Sequence, residues 1–170
     1  MSKKNISIES IDAFVFDFDG VLTDNLVYVR EDGLESVVCS RADGLAFDVL
    51  KKLKKSSYIL STEKNPVVTK RANKLGVKAI QGETDKVSAI KKIAEENNHD
   101  LKKIFFVGND LNDLGVIKKL YLTACPNDSH VEVKKSVLFA LKTDGGRGIV
   151  REILEEILGL NIENILYNDS

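Results

Sequence analysis

Short apolar runs rich in β-formers alternate with stretches of helical spacing, and this alternation constrains the fold more than any other feature of the chain. The runs Ile11–Phe18, Ser57–Leu60, Val77–Ile80, Lys103–Val107, Tyr121–Cys125 and Val137–Leu141 read as buried strands. Between them, Ala46, Val49, Leu50 and Leu53 form one apolar stripe at helical spacing, and Val87, Ile90, Ile93 and Ala94 form another. A third runs through Ile149, Val150, Ile153, Leu154, Ile157 and Leu158, with Gly159 placed to stop it. Strands alternating with helices predict βαβ units, hence an α/β, Rossmann-like fold with a mostly parallel sheet covered on both faces. One segment departs from the pattern. Leu26–Cys39 holds two β-rich runs around Asp32-Gly33, which predicts a hairpin over about 25–39 projecting from the sheet's carboxyl edge. No internal repeat or linker is visible, and the two prolines, Pro66 and Pro126, each lie next to an expected strand end.

Composition narrows what such a fold can serve. A chain of 170 residues, 43% of them hydrophobic, is one domain able to bury a sizeable core. Its 25 basic and 26 acidic residues leave a net charge of −1, which gives no global attraction to nucleic acid. Every apolar run is interrupted by a charge well short of a membrane span, so no membrane partner is expected. Met1–Asn5 has no apolar signal core, and two cysteines, Cys39 and Cys125, suit a reduced compartment as packing residues, so a cytoplasmic location is expected. His99 and His130 sit in polar contexts and read as surface residues.

The chemistry-bearing residues gather at predicted strand ends. In Val15-Phe-Asp17-Phe-Asp19-Gly20-Val-Leu-Thr-Asp24, an apolar strand carries two carboxylates two residues apart and then a glycine that permits a tight turn. Two such carboxylates repel unless a cation or a shared proton relieves them; the alternative is a pair of turn aspartates. Ser61 and Thr62 place hydroxyls at the end of a second strand, where they can donate to a phosphoryl oxygen or simply cap a helix. Lys86 follows Thr84-Asp85 at the start of an amphipathic stretch, where an ammonium opposes the helix dipole. Phe105–Asp113 ends another strand with Gly108, then Asn109, Asp110 and Asp113, oxygen donors of the kind a hard cation takes. All of these converge on the carboxyl edge of one sheet, where open parallel sheets bind ligands.

In this order, the D-x-D-G-x-x-x-D stretch, strand-end Ser/Thr, lysine and acidic glycine motif resemble the haloacid dehalogenase (HAD) phosphatase superfamily. With Asp43-Gly44-Leu45, Gln81-Gly82 and Gly145-Gly-Arg-Gly-Ile-Val-Arg-Glu152, the chain is similar to its capless phosphatases of 3-deoxy-D-manno-octulosonate 8-phosphate and nonulosonate 9-phosphates. The resemblance implies a single HAD-like domain over 1–170 with a C-terminal tail from about 145, no cap domain, and roles in lipopolysaccharide or sialic acid precursor chemistry. It makes Asp17 the nucleophile, Asp19 the general acid and base as well as a backbone Mg²⁺ ligand, and Ser61 and Lys86 the phosphoryl-holding groups. It gives Mg²⁺ the ligands Asp17 and Asp19 together with Asn109 or Asp110, with Asp113 orienting metal-bound water. Asn109 departs from the family's usual pattern, in which the residue there is acidic and ligates the metal. The resemblance further implies a homotetramer in which hairpins assemble and a neighbour's C-terminal segment reaches the site. Arg147 would then hold a sugar carboxylate in trans, with Thr62, Arg41, Lys64 and Arg71 as further substrate contacts. Ser61–Pro66 is more like the nonulosonate enzymes and the phosphatase-like domains fused to sialate cytidylyltransferases. Two other readings are a catalytically silent oligomerisation module of that fused type and a phosphoacceptor signalling domain. In the latter the acceptor aspartate lies on a middle strand of the sequence, whereas Asp17 ends the first.

Overall fold

In the computed structural model, which describes residues 6–168, all six expected strands form. Met1–Asn5, on which the expectation about export rests, and the last two residues lie outside the described residues. The main sheet comprises β1 (Ala13–Phe16), β4 (Ser56–Ser61), β5 (Lys78–Gln81), β6 (Ile104–Val107), β7 (Leu122–Cys125) and β8 (Phe139–Ala140). Their spatial order is β5-β4-β1-β6-β7-β8, and every pairing is parallel. The chain therefore winds outward from β1 through β4 to β5, then crosses back to β6 on the other side. The carboxyl end of β1 lies at that reversal, where the loops on either side diverge and leave a crevice.

Period-2 alternation in β1 feeds two cores. Phe14 and Phe16 point into a layer closed by helices α1 (Arg41–Lys52), α2 (Val67–Leu75), α6 (Ile149–Glu152) and α7 (Ile162–Tyr167). Ala13 and Val15 point into the opposite layer, closed by α3 (Lys86–Asn97), α4 (Leu114–Ile117) and α5 (Val131–Ser136). Phe14 is fully buried between the rings of Phe16 and Phe105, with centroids 6.2 and 5.6 Å away. Phe14→Ala should cost about 3–5 kcal/mol and lower the melting temperature by roughly 6–20 °C, measurable by circular dichroism.

The predicted hairpin is present as β2 (Tyr28–Val29) and β3 (Glu35–Ser36), turning at Gly33 and closed at its base by an antiparallel bridge between Thr23 and Cys39. It is the main excursion between β1 and α1, and no cap domain is present among the described residues. The third apolar stripe is not one helix: one α-turn, α6, passes into a π-helical turn, Ile153–Ile157, before Gly159 at φ +65°. The tail beyond it folds back on its own chain. The Lys52 ammonium donates to the Ile165 and Leu166 carbonyls, binding the end of α7 to the end of α1 at the edge of the sheet away from β1's carboxyl end. Among the described residues no helix is long and apolar enough to cross a membrane.

Candidate active site

Asp17 is the first residue beyond β1. Its N–H donates to the Val107 carbonyl at 2.9 Å, so the β1–β6 ladder holds its backbone while its side chain leaves the strand. Phe18 N donates to Asp17 Oδ1 at 2.8 Å, and the carboxylate is almost wholly buried. The chain then reverses tightly, with the N–H groups of Val21, Leu22 and Thr23 all directed at the Phe18 carbonyl. Gly20, at φ +75°, is required here for two reasons: the conformation is left-handed, and the Asn109 amide occupies the space a Cβ would need.

Lys86 resolves the oddity of an ammonium in a first helical turn. The side chain is 1% exposed, and its Nζ lies 2.8 Å from Asp17 Oδ1 and 2.7 Å from Asp113 Oδ1. Burial acts to lower its pKa, but the two carboxylates outweigh that and hold the ammonium above its ordinary value. The Asp17 carboxyl is displaced upward as well, toward its uncharged form. Burial and the neighbouring Asp113 charge raise it against the pull of Lys86. Asp113 itself is fully buried, taking Lys86 on Oδ1 and the N–H groups of Asn109 and Asp110 on Oδ2 at 2.8 and 3.3 Å. It thus fixes the loop after β6 from behind. Asp19 is half-buried, and its carboxyl is raised chiefly by burial, with Glu63 and Glu35 adding to the shift and Lys86 opposing it.

A cavity of about 370 Å³ opens over these groups, lined by Asp17, Asp19, Asn25, Thr62, Asn109, Asp110, Leu111 and Asn112. Ser61, at the end of β4, is buried directly behind Thr62, and its Oγ accepts from Glu63 N at 3.0 Å. Asp110 is exposed at the rim, where its Oδ1 accepts from Leu111 N at 2.7 Å. Asn109 is the buried one of the two, and its Oδ1 has no hydrogen-bond partner. A buried carbonyl oxygen without a donor costs on the order of 1–3 kcal/mol, so its position beside Asp17 and Asp19 fits a cation ligand. The charge balance agrees: among the described residues, Asp17, Asp19 and Asp113 face a single ammonium, Lys86. Among the described residues no three acidic, histidine or cysteine side chains converge as a cage, so a divalent ion here would draw on the Asn109 amide and the backbone as well as on carboxylates.

The four cationic candidates do not line the cavity. Arg41 is exposed at the start of α1, and Lys64 is exposed beyond Thr62. Arg71 donates to the Ser40 carbonyl at 2.7 Å, which ties α2 to the start of α1. Arg147 is 66% exposed, with Nη2 3.9 Å from Asp24 Oδ2 of its own chain. Residues 145–146 carrying it are packed on the chain's own Gly20–Thr23 turn. His99 is partly buried, its Nε2 3.3 Å from the Tyr58 hydroxyl, while His130 is exposed as predicted and caps α5. Sequence reasoning did not single out Asn25, Leu111 or Asn112 as cavity residues. Only Asn25 carries a signal: asparagine tolerates the left-handed region it occupies, φ +62°.

This fold belongs to a known class. A family model of haloacid dehalogenase-like hydrolases matches residues 45–153, and the chain is a member of that family. Its curated relatives include 3-deoxy-D-manno-octulosonate 8-phosphate phosphatases from Escherichia coli K12, 28% identical over 88% of this chain and 80% of the relative, and from Yersinia pestis, 27% identical with the same coverage. Among solved structures, a HAD family hydrolase from Streptomyces avermitilis superposes with a TM-score of 0.90 at 36% identity, covering 95% of this chain and 99% of the other. The 3-deoxy-D-manno-octulosonate 8-phosphate phosphatase of Moraxella catarrhalis, solved with magnesium, phosphate and KDO, superposes with a TM-score of 0.87 at 26% identity over 95% and 94% of the two chains.

Proposed function

We propose that the chain is a Mg²⁺-dependent phosphatase that removes the terminal phosphate of a keto-sugar acid, 3-deoxy-D-manno-octulosonate 8-phosphate or a nonulosonate 9-phosphate, through an aspartyl-phosphate on Asp17. The observation that carries this reading is the pairing of Asp17 with Lys86 at 2.8 Å in a cavity whose wall includes the unpartnered Asn109 Oδ1. Lys86 and Phe18 N both act on Asp17 Oδ1, which leaves Oδ2 for phosphorus. The ion would be held by Asp17, Asn109 and the Asp19 carbonyl, with Asp110 available at the rim. When bound, it supplies neutralisation of phosphoryl charge.

In this reading Asp17 Oδ2 attacks phosphorus and the bond to the sugar oxygen breaks. Asp19, raised by burial, gives its proton to that oxygen. It then takes a proton from water, whose oxygen attacks the aspartyl-phosphate, releasing inorganic phosphate and restoring Asp17. Lys86 holds Asp17 in place, and Ser61 and Thr62 offer hydroxyls to the phosphoryl oxygens. The exposed Leu26, Val27, Tyr28, Val29 and Leu34 of the hairpin form an apolar surface suited to assembly, in our reading as a homotetramer. Arg147 is the cation offered to the sugar carboxylate.

The test is phosphate release from a panel of sugar phosphates with Mg²⁺ and after chelation. Release confined to keto-sugar acid phosphates and abolished by chelation is the expected result. No release from any of them would overturn the reading in favour of a silent assembly module.

A further inference from the structure

Asp43 lies in the first turn of α1, 1% exposed and away from the cavity. Its Oδ1 accepts from Val150 N at 2.8 Å, and the N–H groups of Gly148 and Arg151 also act on the carboxylate. One side chain therefore joins the beginnings of two helices that are distant in sequence. Its Oδ2 has no hydrogen-bond partner, so the carboxylate is kept in the interior largely by this backbone contact and by the charge of Arg71 from α2. An interior carboxylate is an expensive way to cap a single α-turn, since burying charge opposes folding.

What the contact holds lies immediately upstream. Gly146 N donates to the Val21 carbonyl at 3.0 Å, and Gly145 N donates to Asp128 Oδ1 at 3.0 Å. A Cβ on Gly145 would collide with the Gly20 carbonyl, and one on Gly146 with the Thr23–Asp24 peptide. Only glycine lets this loop lie backbone to backbone on the turn that follows Asp17 and Asp19. The loop is thus clamped at one end on the reactive turn and at the other on Asp43, with Arg147 between the clamps.

We propose that Asp43 is a positioning residue: by anchoring the start of α6 it holds the Gly145–Gly148 loop on the Val21–Thr23 turn and so sets the place of Arg147 for the substrate's carboxylate. The inference rests on the phosphatase reading above. It is tested by kinetics of Asp43→Ala, which removes the acceptor, alone and with Arg147→Ala, on a keto-sugar acid phosphate and on para-nitrophenyl phosphate, which has no carboxylate. Asp43→Ala should raise KM for the sugar acid about tenfold, the size of one charge-assisted contact, with little change in kcat or in para-nitrophenyl phosphate hydrolysis. In the Arg147→Ala background the same change should raise KM less than about twofold, because both act through one contact. Equal losses on both substrates, or effects that multiply, would overturn the proposal.

Asp43→Ser, which keeps a smaller acceptor, is measured in parallel. Should neither variant fold, amide exchange in the wild-type chain decides. Gly146 and Val150 exchanging within about threefold of one another supports a common clamp, and Gly146 exchanging about a hundredfold faster overturns it. A wild-type chain inactive on every sugar phosphate would instead sink the phosphatase reading, and the exchange measurement would still judge the clamp.

Discussion

Asp17→Asn should abolish phosphate release, by at least about 10³-fold in kcat, while the protein stays folded. An amide is nearly the same size as the carboxylate but cannot become phosphorylated, so in our reading no other group in the cavity replaces it. The fold should tolerate the change because Lys86 retains Asp113 at 2.7 Å and the repulsion between the two carboxylates disappears. The pH dependence of stability provides a second readout. Burial and Asp113 push Asp17 up to about 7 in the folded chain against an ordinary value of 3.8. The folded form therefore takes up a proton first, and this group makes chelated protein more stable as pH falls from above 7 toward 4. In Asp17→Asn that gain should vanish, which denaturant titrations at several pH values would show. Phosphate release persisting in the variant would refute the assigned nucleophile.

The central strands were legible because each is a short apolar run whose burial on both faces needs no alternation, as in Phe14–Phe16 and Ile104–Val107. Helix α2 was not, although Val68, Ala72 and Leu75 do form its buried stripe. Two adjacent valines after Pro66 favour extended structure locally, and packing against β5, α1 and β4 decides otherwise. The short helices α4 and α5 likewise depend on tertiary contacts. The π-helical turn after α6 was invisible for another reason: its residues, Ile153–Ile157, keep a helical stripe whichever hydrogen-bond ladder they adopt.

Within the site, Asp17, Asp19 and the glycine turn could be placed from local sequence because they adjoin one strand end. The Lys86–Asp113 pair could not, since it exists only when the loop after β6 closes over the start of α3. Spacing alone also could not rank the arginines. Arg71 is committed to the Ser40 carbonyl and Arg147 stands beside Asp24, distinctions set by where the helices and loops meet.

Lys86→Ala should be the most damaging single substitution, costing both activity and fold. Among the described residues the ammonium is the only cation paired with Asp17 and Asp113, whose carboxylates both contact it and lie in the interior. Removing it leaves two buried negative charges facing one another, a loss of about 3–5 kcal/mol for a broken interior pair. For a chain of this length that lowers the melting temperature by roughly 6–20 °C. Part of the cost should be recoverable without restoring chemistry. Asp113→Asn added to Lys86→Ala removes one of the stranded charges while keeping an acceptor for the Asn109 and Asp110 N–H groups, so the double variant should melt above the single one. It should remain inactive, because nothing then holds the Asp17 carboxylate or offsets phosphoryl charge from that side. A double variant no more stable than Lys86→Ala would show that the ammonium serves packing rather than charge. Activity regained alongside stability would show that it has no part in the chemistry.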